Sequence, residues 1–140
     1  MKHEKLPQST PQDIDFEFKE AELCAAVGAN RAASALFRSV LEKVLKANGF
    51  TKGNLQDKID ESSNNGVLTE SRRRRAHENI RVLGNDVLHD AWREVSDDDV
   101  VSAGHYAQRI LEDFYDDRSS VEKILTSKNR LANETKTGKP

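Results

Sequence analysis

The chain is poor in the residues that staple, rigidify or anchor a protein. It has one cysteine, Cys24, in 140 residues. A single thiol closes no internal disulfide and gives no cysteine pair to a metal, which excludes disulfide scaffolds and zinc ribbons. Among apolar neighbours it reads as a buried, inert thiol. The four histidines, His3, His77, His89 and His105, form no His-x-x-x-His pair, so no metal site is expected. No stretch approaches the roughly 20 apolar residues that cross a bilayer. The start, Met1-Lys2-His3-Glu4-Lys5, leads into no apolar segment of the signal-peptide kind. These absences point to a cytoplasmic protein with no membrane partner. A glycine-rich phosphate loop and a nucleophile elbow are also missing, and no cofactor is expected. The net charge is only -2, so any attraction to a nucleic acid must be local.

What is present is helical. Charged residues make up 33% and apolar residues 36%, a balance that suits helices with long solvated faces and polar ends. Residues 1–12, with Pro7 and Pro11, read as a flexible arm, and residues 126–140, without apolar periodicity, as a flexible tail. Between them, residues 13–125 read as one domain. A first helix is expected from Asp15 to Val27, with Phe16, Leu23, Ala26 and Val27 on one side, and Gly28 and Asn30 after it. A second, from Arg31 to Asn48, has the clearest stripe: Ala33, Leu36, Phe37, Val40, Leu41, Val44 and Leu45. It is the expected centre of the core, and Asn48-Gly49 is its stop. A short helix follows over Asn54–Glu61, tacked down by Leu55 and Ile59. Thr69 is placed to cap a fourth helix reaching Asp90, with Ala76, Ile80, Leu83 and Val87 inward. Ser96 followed by Asp97, Asp98 and Asp99 starts a fifth helix: the hydroxyl caps and the carboxylates complement the helix dipole. A weaker helical stretch spans Ser120–Leu125. No segment alternates with a period of two. The expected fold is all-α, a compact bundle of four main antiparallel helices plus a short one.

Chemistry concentrates in the fourth helix. Arg81, Asn85 and His89 recur at four-residue intervals, with His77 one interval earlier, so they share a broad face. Guanidinium, amide and imidazole together suit an oxyanion, and an imidazole can move a proton near neutral pH. The same residues, at the edge of an apolar stripe, equally serve to cross-link neighbouring helices. Gly84, mid-helix, points to a close approach by another backbone. Arg38 and Glu42 on the second helix form either an exposed i, i+4 pair or one half of a buried polar network with Asn85 and His89. The run Arg72, Arg73, Arg74 and Arg75 opposes the dipole at the start of its helix, so helix stability is not its purpose. Three readings stand for it: a solvated end, contacts to RNA phosphates, or pairing with the acidic residues of the fifth helix.

Two stretches together resemble a known family. They are Ala25-Ala26-Val27-Gly28-Ala29-Asn30-Arg31-Ala32-Ala33-Ser34-Ala35-Leu36-Phe37-Arg38-Ser39-Val40-Leu41-Glu42 and Ile80-Arg81-Val82-Leu83-Gly84-Asn85-Asp86-Val87-Leu88-His89-Asp90. Their order and separation resemble a prokaryotic helical domain family of unknown function, found alone or appended to restriction-endonuclease subunits. The resemblance covers most of residues 14–125. That family looks related to the HEPN superfamily of helical bundles, many of them metal-independent ribonucleases of toxin–antitoxin, restriction and phage-defence systems. The superfamily's hallmark is an arginine, often followed by a polar residue, with a histidine four to six residues later, and two protomers commonly bring two such motifs together. Here His89 matches the histidine and Asn85 the polar residue, but Gly84 occupies the arginine slot. Arg81 lies one turn too far back. The resemblance therefore implies a HEPN-like module that binds or dimerises without catalysis, as a homodimer or with a protein partner, RNA being a candidate ligand. The alternative it leaves is a metal-independent endoribonuclease using His89 with Arg81 or Arg38.

Overall fold

A computed structural model describes residues 6–83, 92 and 94–131. Within them run α1 (Gln12–Ala26), α2 (Asn30–Ala47), α3 (Leu55–Asn64), α4 (Glu70–Leu83), α5 (Asp97–Tyr115) and α6 (Arg118–Ser127), and no strand occurs among the described residues. The all-α expectation holds. The weak stretch near residue 120 is a separate helix, α6, whose N-cap Asp117 accepts from the Ser120 amide. The far end of the expected fourth helix, with Gly84, Asn85, Asp86, Val87, His89 and Asp90, lies outside the described residues.

The caps work as their chemistry requires. The Thr69 Oγ1 accepts from the Arg72 amide at 3.0 Å, and the Ser96 Oγ from the Asp99 amide at 3.1 Å. Asn54 and Asp57 close a reciprocal capping box at the start of α3. Helix ends share another device. After α1, α2, α3 and α6, the residues Gly28, Gly49, Gly66 and Asn129 take positive φ and complete paired Schellman hydrogen bonds.

Helix α2 is the hub. Ala33, Val40, Leu41, Val44 and Leu45 are fully buried and Phe37 nearly so, and the helix packs against α1, α3, α4 and α5. Burying each large side chain contributes roughly 1.5–3 kcal/mol. Leu6 and Leu131, at the margins read as arm and tail, also pack on this core. Cys24 is half-buried against it.

Helix α1 corrects the sequence reading. The residues it buries are Ile14, Phe18 and Ala21. Phe16, Leu23 and Val27, expected to form its apolar side, face outward at 60%, 57% and 80% exposure. Both sets recur with helical spacing, and the edge-to-face contact of Phe18 with Phe37 (centroids 5.4 Å apart) belongs to the inner one.

Directed polar bonds lock the helix ends together. The Asn30 amide donates to the Val95 carbonyl at 2.9 Å and to Asp97 Oδ1 at 2.7 Å, joining the starts of α2 and α5. Asn48 is fully buried. It donates to the Val44 carbonyl and the Tyr115 hydroxyl and accepts from Arg118 at 2.6 Å, joining α2, α5 and α6.

Two glycine substitutions separate backbone strain from packing. At Gly28 (φ +79°) an added Cβ meets nothing within 4 Å, whereas at Gly49 (φ +90°) it collides with the Arg130 backbone. Gly28→Ala should cost about 1 kcal/mol, and Gly49→Ala at least about 2 kcal/mol. Urea denaturation of both variants gives the comparison; equal costs would mean that the Arg130 segment yields freely.

Candidate functional site

The expected polar network is described only in its α2 half. Arg38 and Glu42 are half-buried, with N–O 3.9 Å between them, and Glu42 accepts from Lys58 Nζ of α3 at 3.0 Å. The Lys58–Glu42 pair thus ties α2 to α3. Asn85 and His89 lie outside the described residues, as does the Arg81 side chain.

The four consecutive arginines have separate surroundings, because each step along a helix turns by about 100°. Arg72 Nε donates to Asp113 of α5 at 2.8 Å. Arg73 pairs with Glu70 at 2.6 Å and reaches Asp60 of α3 at 3.5 Å, which holds the Glu70 carboxyl below its ordinary range. Arg74 and Arg75 are exposed. The pairing reading therefore holds for Arg72, with an acidic residue of the fifth helix as its partner.

Arg72 and Arg75 also line a cleft of about 490 Å³ between α4 and α5, with Asn79, His105, Tyr106 and Arg109 among its walls. Tyr106 is its buried floor. The Tyr106 hydroxyl donates to the Arg72 carbonyl at 3.1 Å, and burial raises its pKa, so it stays a proton donor that fixes α4 on α5. The two helices run antiparallel, since the start of α4 meets Asp113 near the end of α5. By that order Arg72, Arg75 and Arg109 fall toward the start of α4, where Asp113 and Glu112 pair with Arg72 and Arg109, and Glu78, Ser102 and Asp99 fall toward the start of α5. His105 lies on the exposed wall between them. Arg109 is steadied by Glu112 at 2.7 Å. Burial tends to raise the Glu112 carboxyl, but hydrogen bonds from Arg109 and Gln108 outweigh it and lower its pKa.

Sequence reasoning found the arginines of α4 but missed His105, Arg109, Ser102 and Asn79. A signal was there: Ser102, His105, Tyr106 and Arg109 recur at helical spacing on α5, as do Arg72, Arg75 and Asn79 on α4. Chemically, the arrangement offers guanidinium forks for phosphate oxygens and, further along, carboxylates and an amide for donor groups. Among the described residues no cluster of His, Cys, Asp or Glu could hold a metal ion. No helix is long and apolar enough to cross a membrane, again among the described residues.

A family model described as a domain of unknown function, DUF4145, matches residues 19–136. No curated protein matches the chain, and no solved structure does.

Asp113 makes the Arg72 contact measurable. Burial raises its pKa from the usual 3.8, more than the Arg72 hydrogen bond and charge lower it. A carboxyl with a raised folded pKa costs stability as pH climbs through the window above its unfolded value. Asp113→Asn should therefore flatten the fall in stability with rising pH just above 3.8. Arg72→Ala should cost about 1–2 kcal/mol, and Arg74→Ala less than about 0.5 kcal/mol. Thermal denaturation across pH reads both effects.

Proposed function

The chain belongs to the DUF4145 family, whose description assigns no function, and we propose that it is a non-catalytic, HEPN-like helical binding module that holds single-stranded RNA in the α4–α5 cleft. The observation that carries this reading is the lining of that cleft, which brings Arg72, Arg75 and Arg109 together with Glu78, Asn79 and Asp99. A nucleotide has counterparts for both sets: anionic phosphate on one side, base-edge donors on the other. Arg75 and Arg109 would take phosphate oxygens, while Asn79, Asp99 and Glu78 would meet a base edge. Arg72, already bonded to Asp113, would position the rim and add charge. Net charge near zero keeps non-specific attraction weak, so recognition rests on this cleft. By resemblance, the setting is prokaryotic defence or nucleic-acid metabolism. With Gly84 in the arginine slot of the ribonuclease motif, binding without cleavage is the expected behaviour.

Anisotropy of a labelled single-stranded RNA across a salt series tests the proposal. Arg75→Ala should lower affinity and reduce the salt slope by about one. Arg74→Ala, whose side chain does not line the cleft, should leave both unchanged. Equal effects of the two variants would assign the binding to diffuse charge and sink the cleft. The same RNA should stay intact with chelator present. Cleavage by the wild type that disappears in His89→Ala would make the protein a ribonuclease.

A further inference from the structure

Helix α1 has two apolar seams on opposite sides. The inner one, Ile14, Phe18, Ala21 and Ala25, faces the core. The outer one is Phe16, Leu23 and Val27, all more than half exposed. With Glu20 in the gap, the outer set runs i, i+4, i+7, i+11, the repeat by which one helix lies along another. Scattered exposed leucines need no explanation, but three apolar side chains in register on one exposed face do.

Size and charge narrow the occupant. From Phe16 to Val27 the seam is about 16 Å long and one helix wide. That is a few hundred Å² at most, short of the roughly 800 Å² per partner that a stable pair of folded proteins buries. It suits about three turns of a single helix. The face is also acidic. Asp13 and Glu20 lie in line with the seam, Lys19 at its edge is bonded to Asp15 at 2.9 Å, and Glu17 is turned to Lys43 of α2 at 2.7 Å. Two copies meeting face to face would bring Asp13 and Glu20 of each together and press Glu20 against apolar side chains, while the flanking Lys19 is already paired with Asp15. We propose that the outer face of α1 docks a short basic amphipathic helix of another protein. Its aliphatic residues lie on Phe16, Leu23 and Val27, and its lysines or arginines face Glu20 and Asp13.

The test uses the full chain and two labelled peptides of about 18 residues, both built on leucine heptads, one flanked by lysine and one by glutamate. The lysine peptide should bind, and the glutamate peptide at least about tenfold more weakly. Leu23→Asp should weaken the lysine peptide by about tenfold or more, and Glu20→Lys should reverse the preference. Val101→Asp, at another exposed apolar residue, should change neither affinity. Circular dichroism checks that each variant is folded. Absence of binding, equal binding of the two peptides, or an equal loss in Val101→Asp overturns the proposal. So does a dimer, seen by light scattering, that Leu23→Asp dissociates, because the occupant is then a second copy. RNA binding enters none of these readouts, so the result is independent of the cleft.

Discussion

Burial of the apolar stripe of α2 is the constraint on which the other helices depend. Phe37 sits where α1, α2 and α5 meet. On one side it meets the edge of Phe18 from α1; on the other it meets Gly104 of α5, where an added Cβ would lie 2.9 Å from the ring. Glycine inside a helix costs about 1 kcal/mol relative to alanine. Here it lets the α5 backbone close onto an aromatic ring, and that contact sets how near α5 stands to α2. Val40, Leu41, Val44 and Leu45 then fill the interior without exposure, and α3 and α4 pack around what remains.

Apolar packing of this kind is non-directional and would tolerate sliding. Specific hydrogen bonds remove that freedom. Asn30 fixes the start of α2 to the start of α5, and Asn48 fixes its end to Tyr115 and Arg118. Both amide nitrogens are bonded twice, because a buried donor left unsatisfied costs more than a bond contributes. Tyr106 and Asp113 do the same for α4 through Arg72. The cleft follows from that tether. Once the start of α4 is pinned to the later half of α5, their outward polar side chains are left facing one another across a gap.

Much of this architecture was legible locally. The caps at Asn54, Thr69 and Ser96 involve side chains and amides three residues apart, so local chemistry is enough to place them. The period of α2 was equally plain, because its apolar residues lie on a single stripe. Helix α1 was different. It has two seams of the same period, and periodicity cannot say which faces inward. The seam carrying Phe18 is inside because Phe18 meets Phe37, a residue nineteen positions away in the chain.

The arginine run shows the same division. Identical neighbours in sequence acquire different surroundings: Arg72 has Asp113 and the cleft, Arg73 has Glu70 and Asp60, and Arg75 has the cleft. His105 and Arg109 lay on a polar stripe of α5 that could be read, but its value depended on which helix stood opposite. The sequence by itself determined a helical fold, the capped starts of α4 and α5, and the stripe that forms its hub, since these follow from bonds and spacings within a few residues. Only the tertiary structure decided which face of α1 is left outside and which charges meet across α4 and α5. Those outcomes depend on contacts between residues distant in the chain, to which local pattern is blind.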